Sequence, residues 1–489
     1  MVLRSALLLC FWLFFIFTCW VEKFIYEKGF KFAKIDSTQK NHKQRRSPMH
    51  SLKEIQLKCN KQFIVNFDGG ELSSDGGLLM IREFLHSLGI EKILKNNFKT
   101  NDTASSRIHK DDENLLQMIY QIFGTYYEDN CADEIRKDPV LTALLGKEAL
   151  ASQPTLSRFF NRMDDDTLRQ FDEIMRQLRK KIYSLQMPQF VLFDIDTTLL
   201  PTYGKQEGEG FNHHYQAHGY HPVLCYDGLT GDLISAKLRD GTDYCSSGSA
   251  EFMRPVIEEY RQNYPEIQLY ARADSGFATP ELYDLFEDND VKYAIRLKIN
   301  KKLLELAADK DEALTKVTRQ NMIDYAVTYG EFEYQAASWR APRRVIFKIE
   351  KPANQMTHLF TFIVTNMKLE IYQVIAYYCN RGRMENFIGE GKEGFDFASV
   401  SSRSKTVNAN RLQLHGLVYN IFNWFRRLAL PKKMGKQLVD TIRLKLLKVA
   451  VKVVHTGRYI KFKLCSSCPY QEEFFETIEN IWGLAARLE

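Results

Sequence analysis

An apolar, β-branched segment near the middle of the chain carries two acidic residues at alternate positions. Residues 190–200 read FVLFDIDTTLL, which is typical of a buried strand. Side chains at positions i and i+2 of a strand project from the same face, so Asp194 and Asp196 should lie side by side. Adjacent carboxylates raise each other's pKa unless a cation neutralises them. The pattern predicts a strand that binds Mg²⁺, and the alternative is an edge strand whose acids face water.

The patterns on either side of this segment predict an α+β fold with a mixed sheet. Residues 67–185 have helical patterns throughout. After the apolar strand come two strands around a hairpin signal at 227–232, and then strands that alternate with helices up to residue 299. Antiparallel strands followed by such alternation are typical of a mixed sheet. Residues 300–368 resemble a mostly β insertion, and from Glu370 the pattern is helical again.

Positive charge is concentrated towards the carboxyl terminus. The chain has 489 residues, enough for two or more domains, and a net charge of +6. Its 45% hydrophobic content excludes collagen-like, mucin-like and wholly disordered proteins. Between Arg426 and Lys463 twelve Lys or Arg residues accompany one acid, Asp440. This surplus favours a surface for a phosphate backbone, and the alternative is a solvated face.

The amino-terminal region gives conflicting signals about location. Residues 6–21 contain no charge and are shorter than the ~20 residues that span a bilayer. They resemble a membrane anchor or an uncleaved signal. The nine cysteines form no disulfide framework, which indicates reduced thiols in a cytoplasmic protein. We therefore expect residues 1–60 to lie outside the functional fold.

Two further acidic positions are candidates for the same site as the strand acids. Asp274 follows the predicted strand 267–273, and the Ser275-Gly276 turn would hold its carboxylate at the carboxyl edge of the sheet. On its own this motif is also an ordinary turn. The second candidate is Glu385, which belongs to a spaced set of polar residues.

That set occupies one face of a predicted helix. At ~100° per residue, its four members fall within an arc of roughly 60°. This face would carry an acid among two cations and a phenol, as expected of a metal ligand beside a phosphate-binding surface. The alternative is that the acid is an ordinary ion-paired surface group. Gly389 and Gly391 predict an early end of the helix, with the last cation reaching in from a loop. The set consists of Tyr378, Arg381, Glu385 and Lys392.

These motifs resemble the DDE transposases of bacterial insertion sequences, and most closely the group named after insertion sequence thirteen-eighty. The class signature Tyr-(two)-Arg-(three)-Glu-(six)-Lys is met in full by residues 378–392. The segments FDIDTTLLPTYGKQEG, RADSGFATPEL and GYHPVLCYDGLTGDLISAKLRDG are also similar to that group. The resemblance runs from about Phe67 to the carboxyl terminus.

The resemblance implies a ribonuclease H-like, mixed-sheet catalytic domain in a bacterial cytoplasmic enzyme. A helical domain that binds DNA ends would precede it, a β-rich insertion would interrupt it, and a basic helical region would follow it. The expected boundaries are 1–60 (outside the fold), 67–185 (helical), 188–299 (catalytic, first part), 300–368 (insertion), 369–425 (catalytic, last helices) and 426–489 (basic).

The resemblance also implies a catalytic triad of Asp196, Asp274 and Glu385 that binds two Mg²⁺ or Mn²⁺ ions. Asp196 is preferred because Asp196-Thr197-Thr198 matches the Asp-Thr-Thr of related enzymes, and Asp194 remains a competitor. Such a site would cleave DNA at the element ends, as an endonuclease, and join them to target DNA. The expected partners are the terminal inverted repeats and target DNA, with the enzyme acting as a homodimer.

Five residues are candidate DNA contacts. Arg381 and Lys392 would neutralise an end phosphate, and Tyr378 would hydrogen-bond to it. Trp339 could stack on a displaced base, and the alternative is a buried structural indole. Arg158 lies in a helix that begins with SQPT, which is either a phosphate-contacting element or an ordinary capped helix.

Two other functions compete with transposition. The motif Asp194-Ile195-Asp196-Thr197-Thr198 also fits haloacid-dehalogenase-like phosphatases, in which the first Asp is a nucleophile. That class requires a helix soon after the strand, whereas residues 202–219 are rich in Gly, His and Tyr. The second competitor is a catalytically inactive DNA-binding derivative of a transposase. The presence of all three acids argues against it.

Overall fold

The computed structural model describes residues 54–104, 106–355 and 357–488. The chain divides into two compact units, one ending at Asp68 and one beginning at Gly69. In the first unit, strand β1 (Ile55–Gln56) pairs antiparallel with β2 (Ile64–Val65). The apolar segment 6–21 lies outside the described residues. Within the described part of the chain, no helix combines the length and the apolar character that crossing a membrane requires.

The second unit begins with β3 (Leu72–Ser73) and a block of helices. The longest helix of the block begins after Asp164, whose carboxylate accepts hydrogen bonds from the backbone N–H groups of Asp166 and Thr167. Its apolar residues recur every three or four positions and are buried, as expected of an amphipathic helix. The helices are α1 Leu78–Ser87, α2 Ile90–Asn97, α3 Asp111–Phe123, α4 Cys131–Glu134, α5 Pro139–Leu145, α6 Gln153–Asn161 and α7 Asp165–Leu185.

An eight-stranded mixed sheet lies at the centre of the second unit. The next strands along the chain are β4 Phe190–Thr197, β5 Leu200–Pro201, β6 Gly210–Asn212, β7 Ala217–Tyr220, β8 Val223–Asp227, β9 Leu233–Lys237, β10 Gln268–Ala273, β11 Lys292–Leu297, β12 Ala326–Tyr334, β13 Arg343–Lys351 and β14 Leu359–Thr365. The sheet order is β12-β13-β14-β11-β10-β4-β8-β9. Strand β10 is parallel to β4 and to β11, and the other neighbouring pairs are antiparallel. The predicted mixed sheet is confirmed.

The segment predicted to be a β-rich insertion extends this sheet. Residues 300–368 contain the three strands β12, β13 and β14, together with a helix of 20 residues. Because β14 pairs with β11, the strands of this segment continue the central sheet. The three short strands β5, β6 and β7, which lie between β4 and β8 along the chain, form a separate small sheet.

The remaining helices cover the sheet and connect it to the helical block. Phe193 of β4 packs edge-on against Tyr260 of a helix on one face of the sheet, with ring centroids 5.4 Å apart. At the sheet edge, the Asn420 side chain hydrogen-bonds both the N–H and the C=O of Leu233, each at 2.7 Å. These helices are α8 Ser249–Asn263, α9 Pro280–Asp288, α10 Lys301–Gln320, α11 Ile371–Cys379, α12 Arg383–Phe395, α13 Lys405–Leu428, α14 Val439–Ile442 and α15 Gln471–Ala486.

The sequence predicted a helical carboxyl-terminal region, but the structure has two strands there as well as helices. Strands β15 (Val451–His455) and β16 (Ile460–Leu464) form an antiparallel hairpin that also pairs with β3. The prediction was wrong here because IKFKL alternates polar and apolar residues with the period of a strand, and VKVVH is rich in β-branched valine.

Candidate active site

The two acids of β4 share one face of the sheet but have different partners. Asp194 is completely buried, and its two oxygens each lie 2.6 Å from a guanidinium nitrogen of Arg272, its neighbour on β10. Arg272 also donates to the carbonyl of Tyr377 in α11, at 2.7 Å. Burial raises the pKa of Asp194, and the guanidinium opposes that rise. This bidentate pair joins β4, β10 and α11 in the interior of the protein.

Asp196 lies at the end of the same strand and faces a cleft. Its Oδ2 is 2.6 Å from Nη2 of Arg381, and its Oδ1 accepts the backbone N–H of Thr197 at 2.9 Å. Burial raises the pKa of Asp196 to about 6, an effect that Arg381 opposes and the nearby Asp274 reinforces. In this structure an arginine therefore lies beside each strand acid, Arg272 at Asp194 and Arg381 at Asp196.

Register places Asp274 beside Asp196. Strands β4 and β10 are parallel with Ile195 opposite Ala273, so the residue that follows each of these two is one of the acids. Asp274 then begins a short 3₁₀ turn in which its Oδ1 accepts the N–H of Gly276 at 2.8 Å. Glycine is required there, because a Cβ atom at position 276 would lie 2.7 Å from the Cβ of Cys245. The predicted position at the carboxyl edge of the sheet is confirmed.

The spaced polar set lies on two helices joined by a short turn. Tyr378 is in α11, Arg381 is in the 3₁₀ turn Asn380–Gly382, and Glu385 and Lys392 are in α12. The predicted early end of the helix was wrong, because α12 continues to Phe395. Lys392 is on the helix and donates to the carbonyl of Leu199 at 2.8 Å. Burial lowers the pKa of its ammonium group.

One cleft brings most of the predicted residues together. It has a volume of about 930 Å³, and its lining includes the acids Asp196, Asp274 and Glu385. Arg381 and Lys392 line it as well. Tyr378 does not line the cleft but lies close behind it, where Arg381 opposes the rise that burial causes in its pKa. Asp194 is absent from the lining.

Sequence reasoning missed several residues of the cleft. One wall comes from the segment of the small β5–β7 sheet, which contributes His213, His214 and Tyr215. Exposed Lys298, just after β11, also lines the cleft. The richness of residues 202–219 in His and Tyr was the available signal, and it served only as an argument against a phosphatase.

The two other candidate DNA contacts lie outside the cleft. Trp339 is only 8% exposed and packs edge-on against Tyr283 and Tyr334, with ring centroids 5.4 and 5.3 Å away. This burial favours the structural alternative for Trp339. Arg158 is exposed on α6, but an intramolecular carboxylate already caps that helix, since Asp133 accepts the N–H of Gln153 at 3.0 Å.

The acids of the cleft have the chemistry of a site for hard divalent cations, since carboxylate oxygens are the ligands that Mg²⁺ and Mn²⁺ prefer. Among residues 54–488, leaving out 105 and 356, no group of three or more His, Cys, Asp or Glu side chains is gathered closely enough to hold a metal ion. The guanidinium of Arg381 stands at the Asp196 oxygen instead. The donor types therefore fit a divalent ion, while an internal cation pairs with one of them.

Comparison with known proteins identifies the class. A family model described as "Transposase DDE domain group 1" matches residues 55–486. A search of curated proteins returns no significant match. Among solved structures, the chain is similar to the "Cryo-EM structure of piggyBac transposase synaptic complex with hairpin DNA", with 12% identity and a TM-score of 0.38. That similarity covers 76% of this chain and 80% of the other.

The protein is thus a transposase, and its function is DNA transposition. Because the match spans most of its length, the chain belongs to the family of DDE transposase domain group 1. Membership of this family implies nuclease and transesterification chemistry on phosphodiester bonds, with divalent metal ions as cofactors.

Proposed function

We propose that the cleft cuts DNA at the ends of a mobile element and joins those ends to target DNA, with Asp196, Asp274 and Glu385 as the catalytic acids. The observation that carries the proposal is the convergence of these three residues. They are far apart in the sequence and lie on a strand, a strand end and a helix, yet they line the same cleft. Cleavage and strand transfer are both in-line displacements at phosphorus, so a single site can perform both.

We infer that the central sheet is of the ribonuclease H-like type. Strands β9, β8 and β4 form an antiparallel meander, and β10 and β11 follow β4 in parallel. This arrangement supports the inference, as does the position of the acids at the carboxyl ends of β4 and β10. The complete Tyr-Arg-Glu-Lys signature supports assignment to the broader class that carries it. The segments FDIDTTLLPTYGKQEG and RADSGFATPEL support group thirteen-eighty of the bacterial insertion sequences, whose members would act on DNA in the cytoplasm.

The three acids would hold two Mg²⁺ or Mn²⁺ ions, which supply an activated nucleophile and neutralise charge on the leaving oxygen. The chain prepares their ligands in two ways. The N–H of Gly276 fixes one oxygen of Asp274, and the N–H of Thr197 fixes one oxygen of Asp196. Arg381 pairs with Asp196 in this structure and would be free to move to DNA once another cation neutralises that carboxylate.

Arg381, Lys392 and Tyr378 would bind the phosphate of the DNA end. The Nε of Arg381 is buried and finds no hydrogen-bond partner among the described residues, which leaves a donor for an incoming oxygen. Lys392 supplies a positive charge on the same helix as Glu385. The helical block at 67–185 would bind the terminal repeats, and two chains would hold the two ends of the element.

The competing phosphatase function is not favoured by the site. Its nucleophile would be Asp194, whose carboxylate is completely buried and paired with Arg272. A nucleophile must reach its substrate, and this carboxylate does not line the cleft.

A nicking assay tests the proposal. DNA that carries the inverted repeats flanking the gene is incubated with the protein and Mg²⁺, and cleavage and binding are measured separately. We expect Asp274→Asn and Glu385→Gln to abolish cleavage while retaining DNA binding, because they remove metal ligands without adding charge. Undiminished cleavage by either variant would refute the triad.

A further inference from the structure

Two sets of cations stand out among the twelve of the basic segment 426–463, and Lys432, Lys436 and Lys445 belong to neither. In the first set each member pairs with a carboxylate of another element or of its own turn. The pairs are Arg426–Glu390, Arg427–Asp232, Lys433–Glu473, Arg443–Asp440 and Lys448–Asp75. These residues stabilise the fold, so the charge surplus of the sequence overstates the positive surface that is available to a ligand.

The second set is concentrated on the β15–β16 hairpin. Lys452, Lys461 and Lys463 are exposed, and so is Arg458 in the connecting turn. Within the described ranges of the chain, no carboxylate lies within 4.0 Å of these four cations. Their charge is therefore directed to solvent.

Strand register places the three lysines on one face, which we call the lysine face. Lys452 lies directly opposite Lys463, and Lys461 lies two residues before Lys463 on the same strand. The opposite face is apolar and packs against the core through Val451 and Val453, which are 2% and 3% exposed. The hairpin is thus amphipathic, with one side packed on the protein and the other presenting the three lysines beside Val454 and Leu72.

This arrangement is unfavourable in the isolated protein. Like charges directly opposite each other on neighbouring strands destabilise the pairing. Nothing in the described part of the chain offsets the repulsion between Lys452 and Lys463, since neither has an acidic partner. An external polyanion would offset it.

We propose that the lysine face, Lys452, Lys461 and Lys463, binds the phosphate backbone of double-stranded DNA. This rests on the proposed function and adds a docking surface to it. Double-stranded DNA carries a dense, regular row of phosphates, and each lysine that neutralises one releases a condensed counterion. Lysine ammonium groups contact phosphates as point charges, so this face would position the duplex without reading its sequence.

The test removes the three charges together and measures how DNA binding depends on salt. The variant is Lys452→Gln, Lys461→Gln and Lys463→Gln, assayed on mixed-sequence duplex DNA. The slope of log K against log salt should become shallower by about 2 to 3, and at about 0.1 M salt the affinity should fall on the order of a hundredfold. Cleavage of element-end DNA at saturating protein should persist, because the cleft is intact.

A matched control removes the same charge elsewhere. Lys301, Lys310 and Lys316 are exposed on α10, and their triple change to Gln should leave the salt slope unchanged. An equal effect of both triple variants would mean that only net charge matters, and it would overturn the proposal. So would an unchanged slope in the hairpin variant while the wild-type protein binds and cuts DNA. Failure of the wild-type protein to bind or cut would instead refute the proposed function.

A single substitution separates binding from folding. Lys463→Glu places an acid opposite Lys452, so it should raise the melting temperature by replacing repulsion with attraction. The same change should weaken DNA binding more than Lys463→Gln does. Weaker binding with a lower melting temperature would attribute the effect to hairpin unfolding and would contradict the lysine face.

Discussion

At the scale of single residues, Asp194 and Asp196 are two positions apart, yet they have separate tasks. Asp194 and its partner Arg272 are both almost completely buried, with exposures of 0% and 3%. Asp196 is 16% exposed and lines the cleft. The sequence pattern predicted both acids on one face of a strand, but it could not show that Asp194 would be buried against Arg272 while Asp196 would face the cleft.

This division predicts opposite phenotypes for two identical substitutions. Asp194→Asn leaves the Arg272 guanidinium buried without a counter-ion, which should cost about 3–5 kcal/mol of stability. Asp196→Asn should change stability little, because relief of the buried charge offsets the lost ion pair, but it should abolish cleavage. Melting temperature and the nicking assay measure the two effects. A stable Asp194→Asn protein without cleavage activity would reverse the assignment.

A buried histidine makes stability depend on pH. His415 is 1% exposed, and its Nδ1 lies 2.5 Å from the carbonyl oxygen of Phe395. Burial lowers the pKa of His415 to about 4, and the nearby Arg411 adds to this while Asp129 opposes it. Since an unfolded histidine titrates near 6.5, the unfolded chain binds the proton first as the pH falls.

The stability contributed by neutral His415 should therefore be complete above about pH 6.5 and should be lost towards pH 4, by up to about 3 kcal/mol. His415→Gln should flatten the decline in this window relative to the wild type. Urea unfolding at several pH values measures the difference. Parallel pH profiles for the two proteins would show that the imidazole is not held neutral.

At the scale of elements, α12 carries three glycines, and two of them, Gly389 and Gly391, have the same helix propensity but different surroundings in the structure. A Cβ at Gly389 would meet nothing within 4 Å, whereas a Cβ at Gly391 would lie 2.8 Å from the ring of Phe397. Propensity predicted an early end of this helix. Packing of buried Gly391 against that ring accounts for a residue that propensity disfavours within a helix.

Alanine at these positions should have opposite effects. Gly389→Ala should stabilise the protein by about 0.5–1 kcal/mol through helix propensity. Gly391→Ala should destabilise it by about 1–3 kcal/mol, because the buried Phe397 ring has to move. Chemical denaturation of both variants provides the measurement, and each serves as the control for the other. Equal changes of the same sign would contradict the packing of α12.

Elements with a strong pattern were predictable from the sequence. The strand that carries the two acids, the hairpin after it and the turn at Asp274 follow from local chemistry, and the structure has them. The β15–β16 hairpin was missed because positive charge was interpreted as a helical region. Its alternation of lysine with valine and phenylalanine was the better signal.

At the scale of the whole molecule, the cleft depends on contacts that no local pattern contains. Asp196 and Asp274 are neighbours because two parallel strands share a register, and Glu385 joins them through a helix more than a hundred residues further along. The sequence identified these three acids through the resemblance to a known family, because it contains no information on how close they lie in space. The His- and Tyr-rich wall of the cleft depends on how the small sheet folds back, which periodicity does not encode.

The central claim is that the three acids meet around divalent cations when DNA is bound. Its most direct test is anomalous scattering from Mn²⁺ in crystals of the full chain with element-end DNA. We predict peaks within coordination distance of carboxylate oxygens of Asp196, Asp274 and Glu385, with Arg381 moved from Asp196 to a phosphate. Peaks elsewhere, or an intact Arg381–Asp196 pair beside a well-ordered DNA end, would contradict the account.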